Sequence, residues 1–179
     1  DQAKPGDFVL SRKNAPLMGI CLAFLRKGIP ARIEGRDVAS GLKAIVKKFK
    51  ARSVPEFMSR VEGWKVKQAS RAAKLDSNVS EAKIEQIEDQ AATLIALAEG
   101  CASIDEIFLR LDTMFGDTES GTSRNQIVCS SVHKAKGLEA DRVFVLAATI
   151  NTKTREEKNI YYVAVTRAKA NLTFVKDGE

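Results

Sequence analysis

Apolar residues follow two rhythms along this chain, and the changes of rhythm divide it into parts. Near the start, Gly6-Asp-Phe-Val-Leu-Ser11 is a short β-type run with Arg12 at its end. From Ala15 to Lys27, Leu17, Ile20, Cys21, Phe24 and Leu25 recur at three- and four-residue spacing, which predicts a helix. Asn14 is a candidate cap for it, Pro16 is tolerated in its first turn, and Gly28 stops it. Ile29 to Ile33 then reads as a second strand. Strand, helix and strand in so short a span predict a βαβ unit, hence a parallel sheet with a right-handed crossover.

The middle, 37–116, has helical rhythm throughout. Leu42, Ile45, Val46 and Phe49 share one face of a segment whose lysines lie mostly on the other. Ser53-Val-Pro-Glu56 is a capping box that opens a long basic helix carrying Phe57, Val61 and Trp64. Asp76 to Ser80 reads as a loop, with Asn78 and Glu81 able to cap the next helix. That helix shows a stripe of Ile84, Ile87, Ala91, Leu94, Ile95 and Ala98 ending at Gly100. Ser103-Ile-Asp-Glu106 is a second capping box, before Phe108, Leu111 and Phe115. No repeat is visible.

The sheet rhythm returns after a polar Gly/Ser/Thr-rich connection from Asp117 to Arg124. Ile127 to Val132 and Val143 to Ala148 are β-branched and almost uncharged, as buried strands are. Thr149 to Thr154 reads as a loop, Arg155 to about Arg167 as a helix with an acidic start and a basic end, and Leu172 to Val175 as a last strand. The whole predicts an α/β fold: a parallel sheet formed by 1–36 and 117–179, flanked by helices and interrupted by an all-helical insertion at 37–116.

Composition narrows the function. The chain's 179 residues suffice for one α/β domain with a modest insertion. It begins at Asp1, so we read it as a piece of a longer protein. No stretch is long and apolar enough to span a bilayer, and no signal peptide is visible, so no membrane partner is expected. Cys21, Cys101 and Cys129 are far apart, and His133 is the only histidine, which disfavours a zinc site. Buried, reduced thiols in the cytoplasm are the simpler reading. A net charge of +6 favours a polyanionic partner.

Candidate chemistry lies in two stretches. Val128-Cys-Ser-Ser-Val-His-Lys-Ala-Lys-Gly-Leu-Glu139 is a strand running into a donor-rich basic loop, where Gly137 lets the backbone turn or approach a ligand. Glu156 to Lys169 is a helix that delivers Arg167 at its end. A phosphate-gripping loop followed by a helix with a terminal arginine points to nucleotide or nucleic-acid phosphate chemistry.

These residues resemble a known family. His133-Lys-Ala-Lys-Gly-Leu-Glu139 is similar to motif V, and Tyr162-Val-Ala-Val-Thr-Arg-Ala-Lys169 to motif VI, of superfamily 1 DNA helicases of the UvrD/Rep type. Phe8 to Leu17 resembles motif IV more loosely. The resemblance implies the second, C-terminal RecA-like domain: a P-loop NTPase-like sheet without its own P-loop, with a reduced form of the family's helical insertion. It implies a catalytic arginine finger at Arg167 and a second arginine, Arg12, facing the nucleotide's terminal phosphates. It implies nucleotide binding by Glu139 through the ribose; Gly137 is read as allowing close backbone approach to the nucleotide, and Lys136 as serving phosphate or holding the loop through its own contacts. His133, Lys134 and Ser131 are implied contacts to single-stranded DNA, while Thr166 and Tyr162 are read as structural. Lys158, Asn159 and Ala140 depart from the family's usual residues, which bears on the cleft contacts.

No GxxxxGK[ST] loop occurs in the sequence, so this chain is expected to be inactive as an ATPase by itself. The resemblance implies ATP and Mg2+ bound mostly by an N-terminal RecA-like domain of the same protein, with 3′-to-5′ movement on DNA. Two alternatives carry similar motifs: a helicase–nuclease subunit of the RecB/AddA kind, and a non-catalytic nucleic-acid-binding module that keeps the fold. The basic run from Lys43 to Lys74 is read as a solvated helical face. Phe57 and Trp64, which share a face, are read as core rather than as a platform for bases.

Overall fold

A computed structural model describes residues 2–75, 77–116, 125–150, 152 and 154–176. The connection expected at Asp117 to Arg124 lies outside the described residues, as do Asp76 and the side chains of Ser77 and Asn78 on which one helix cap was expected. The chain divides into two compact units, 1–36 with 113–179, and 37–112.

The first unit is built on a five-stranded sheet of β1 (Phe8–Ser11), β2 (Ala31–Ile33), β3 (Ile127–Ser131), β4 (Ala140–Leu146) and β5 (Ala168–Val175). The order is β2-β3-β1-β4-β5 and every pairing is parallel. β1 and β2 thus belong to one parallel sheet, as the βαβ reading expects, but β3 lies between them. Ile127, Val128 and Cys129 of β3 are wholly buried, which suits an interior position with a partner on each side.

Register fixes the two faces. Phe8 stands beside Val128 and Val143, and Val9 beside Cys129 and Phe144. Because side chains alternate along a strand, Phe8, Leu10, Val128, Val143 and Val145 form one face. They share a core with Val132, Ala135, Ile160 and Ala164. Val9, Cys129 and Phe144 form the other face. There α1 (Asn14–Arg26) contributes the buried Leu17, Met18 and Cys21. Cys21 and Cys129 hydrogen-bond through their thiols, and that bond with burial pushes the Cys129 thiol well above its ordinary range. The N-cap of α1 is Lys13, without a side-chain cap bond, so Asn14 begins the helix instead of capping it. Gly28, at φ +70°, ends the helix as expected.

The second unit contains α2 (Arg36–Phe49), α3 (Val54–Ala72), α4 (Ser77–Ala98) and most of α5 (Ile104–Phe115). Both capping boxes are present. Ser53 Oγ accepts from the Glu56 N–H at 3.3 Å and Ser103 Oγ from the Glu106 N–H at 3.2 Å. The glutamates reach back in turn, Glu56 to the Arg52 N–H at 2.7 Å and Glu106 to the Ala102 N–H at 2.7 Å. Accepting that backbone bond, with Arg60 alongside, holds the Glu56 carboxyl below its usual range. Phe57 is wholly buried and meets Phe49 edge-on at 5.5 Å; Trp64 meets the same ring at 6.4 Å. Phe57 is core, as read, while Trp64 packs on that core only half-buried.

Candidate functional site

Parallel strands bring all their C-terminal ends to one edge of a sheet, and ligands of open α/β folds collect there where successive connections leave in opposite directions. At this edge Ser11 ends β1 beside Ser131 at the end of β3. Arg12 follows directly, and its N–H donates to Thr149 Oγ1 at 3.0 Å. The Thr149 hydroxyl donates to the Leu146 carbonyl at 2.7 Å, which ties the turn after β4 to the end of β1. The Arg12 guanidinium donates through Nε to Glu157 Oε1 at 3.0 Å, and both side chains are partly buried. Glu157 lies in the first turn of α6 (Arg155–Val165), whose N-terminus is capped by Thr154.

The turn after β3 begins at the same edge. The Lys134 and Ala135 N–H groups both donate to the Ser131 carbonyl at 3.0 Å, and the Val132 N–H donates to the Ser11 carbonyl at 3.0 Å. Val132 and Ala135 are buried under this turn, which leaves His133, Lys134 and Lys136 exposed. Ser131 is half-buried. The turn then crosses the sheet, because β4 must start at the other edge to run parallel. Gly137 takes φ +89° there, with no atom within 4 Å of where a Cβ would stand, so backbone conformation rather than space selects glycine.

At that opposite, N-terminal edge the turn meets the end of α6. The helix stops at Val165, so Arg167 lies in the turn into β5 and not in the helix. The Ala140 N–H donates to the Arg167 carbonyl at 3.1 Å. The half-buried guanidinium donates from Nε to the Val163 carbonyl at 3.0 Å and from Nη1 to the Leu138 carbonyl at 3.2 Å. Nη2 donates to Thr166 Oγ1 at 3.1 Å. Among the described residues no carboxylate pairs with Arg167. Glu139, half-exposed, sits 3.5 Å from Lys169 Nζ, an ion pair of small energetic weight at such exposure.

The structure therefore sorts the residues singled out from sequence into two groups. Gly137, Leu138, Glu139 and Arg167 gather at the N-terminal edge, and Arg12, Ser131, His133 and Lys134 at the C-terminal edge, with Lys136 in the turn between. Arg12 and Arg167 are not brought together. Glu157, which holds Arg12, and Val165, where the helix stops two residues before Arg167, are separated by roughly 12 Å of helical rise. An arginine at the end of β1 and one at the start of β5 belong to opposite edges whatever their rotamers.

Two contacts were not legible in the sequence. Glu157 and Thr149 hold Arg12 from more than 130 residues away, and no local pattern announces such a pairing. Just before the motif VI-like stretch, Tyr161 stacks on Phe174 at 5.8 Å, whereas Tyr162, its first residue, is 68% exposed and accepts the Thr166 N–H with its backbone carbonyl. The structural reading of Thr166 agrees with its hydroxyl bond to the Val163 carbonyl.

No curated protein matches the chain. The family model described as the UvrD-like helicase C-terminal domain matches residues 36–177, which include the whole crossing turn and Arg167 but not Arg12. That match covers most of the sequence and agrees with a parallel α/β sheet in which the two motif-like stretches meet. The chain belongs to the UvrD-like helicase C-terminal domain family.

Proposed function

We propose that this chain is the second motor domain of an ATP-dependent DNA helicase or translocase moving 3′ to 5′. Its N-terminal edge would form one wall of an ATP site shared with an N-terminal RecA-like domain. The observation that carries this reading is the Arg167–Leu138 contact, which makes the crossing turn and the arginine one continuous surface. That surface offers a guanidinium without a carboxylate partner among the described residues, the backbone at Gly137 and the half-exposed carboxylate of Glu139, paired only across 3.5 Å with Lys169, a donor and acceptor set that fits a nucleoside triphosphate. Among the described residues no group of His, Cys, Asp and Glu is arranged to hold a metal. In this proposal the partner domain therefore holds Mg2+ and most of the triphosphate.

Arg167 supplies charge to the transferring phosphoryl group by exchanging its contacts with Leu138 and Thr166 for phosphate oxygen. Glu139 accepts a hydrogen bond from the ribose, and Gly137 admits the nucleotide close to the backbone. The basic C-terminal edge, with His133 and Lys134, faces the phosphates of a single strand. Arg12 belongs by position to that strand-facing edge and not to the nucleotide.

The proposal is tested by DNA-stimulated ATP hydrolysis in the protein that unites this domain with a Walker A domain. Glu139→Gln is expected to raise KM for ATP several-fold with kcat little changed, since a ribose contact is made equally in ground and transition states. An unchanged KM removes Glu139 from the nucleotide site.

A further inference from the structure

Arg12 is held at two points and open at a third. Its main-chain N–H is fixed by Thr149, its Nε by Glu157, and its two terminal amino groups have no partner among the described residues. Its side chain is 32% exposed, against 18% for Glu157. A carboxylate engaged at Nε leaves the Nη edge of the guanidinium open, and that edge matches two oxygens of a phosphate. Glu157 itself is fixed at the N-terminus of α6, where its own N–H donates to Thr154 Oγ1 at 3.2 Å. Exposed His133 and Lys134 emerge from the neighbouring strand at the same edge. The parts amount to a preset fork, its handle clamped and its prongs outward.

We infer that Glu157 and Thr149 are positioning residues that aim the Arg12 fork at a backbone phosphate of the bound strand. This rests on the reading of the C-terminal edge as the strand-facing side. Glu157 touches no phosphate; it acts through Arg12. A carboxylate that merely competed with the strand for Arg12 would have the opposite effect, and charge alone would act on any neighbour, so the two are separable.

The test is a double-mutant cycle on the 179-residue chain, with binding of a fluorescein-labelled oligo-dT followed by anisotropy at low salt and over a salt series. R12A is expected to weaken binding and reduce the salt slope by about one ion. Removing a negative charge with E157Q is expected to tighten binding in the R12A background. In the presence of Arg12 the same change is expected to give no gain or a loss, a difference between backgrounds of about five- to ten-fold. T149V, which alters no charge, is expected to weaken binding only when Arg12 is present, with T149S restoring it.

Equal effects of E157Q in both backgrounds, or a larger gain with Arg12 present, overturn the inference while leaving the strand-facing edge intact. A wild-type chain that binds no oligonucleotide overturns both. Thermal melts of each variant exclude unfolding as the cause, and T149V supplies an independent result should E157Q not fold.

Discussion

Arg167→Ala is expected to lower DNA-stimulated ATP turnover by roughly 10³–10⁵-fold in a protein carrying both motor domains, the range that loss of an arginine finger produces. The guanidinium also fastens the Val163 and Leu138 carbonyls, so the variant should lose some stability as well, about 1–2 kcal/mol for two charge-assisted bonds at a part-buried site. The two effects are distinguishable. Loss of turnover should persist at temperatures where the melt shows the variant folded, and oligonucleotide affinity should stay close to wild type because Arg167 lies at the far edge from the strand. Arg167→Lys is expected to recover little, since an ammonium lacks the planar fork that can keep the Val163 carbonyl at Nε while its Nη groups turn to phosphate oxygens. Turnover within ten-fold of wild type in the alanine variant would remove the finger assignment.

The second large effect is expected in the sheet. Leu10 is wholly buried in the central strand β1, packed with Val128, Val145 and Ile160. Leu10→Ala should cost roughly 2–5 kcal/mol, the range for leucine truncations in closed cores. That corresponds to a fall of roughly 4–20 °C in the melting temperature of a domain this size. Tyr161 and Tyr162 lie in the same unit as Leu10, while the single tryptophan, Trp64, lies in the helical unit. Tyrosine ellipticity should therefore report the loss directly. Leu172→Ala on the exposed edge strand β5 should cost about 1 kcal/mol or less. Equal losses for the two leucines would contradict a sheet with β1 at its centre.

Much of this architecture was legible because it is written locally. Capping boxes at Ser53 and Ser103 depend on residues three apart, and the strand runs Phe8 to Leu10 and Ile127 to Val132 are apolar because both faces are covered. What escaped is long-range or polar. β3 enters between β1 and β2 from about a hundred residues away, and sequence rhythm carries no signal of pairing order. β4 and β5 begin at Ala140 and Ala168, earlier than their apolar cores suggest. Asp141, Arg142, Lys169 and Asn171 are polar positions kept in the strands by the ladder between the two strands rather than by burial. β5 is almost wholly exposed, so its pattern reads as a loop until the pairing is known.

The site was legible in part. The motif-like stretches point to two groups of candidate residues, and the structure joins Gly137 to Glu139 with Arg167 through one carbonyl contact. The resemblance to motifs IV and VI sends both Arg12 and Arg167 to the nucleotide's terminal phosphates. Sheet topology separates them, because the end of a first strand and the start of a last strand cannot coincide when all strands are parallel. Once placed, Arg12 acquires partners, Thr149 and Glu157, that only the fold could reveal.

In the proposed motor the two edges of one sheet serve different ligands, the C-terminal edge a nucleic-acid strand and the N-terminal edge a nucleotide. Backbone amides of the chain, followed by NMR while oligo-dT is added, separate the two edges. Shifts are expected to be confined to the residues around Arg12, Ser131, His133 and Lys134, with Gly137, Glu139 and Arg167 undisturbed. Shifts centred on Arg167 and Glu139, with the Arg12 edge silent, would contradict it.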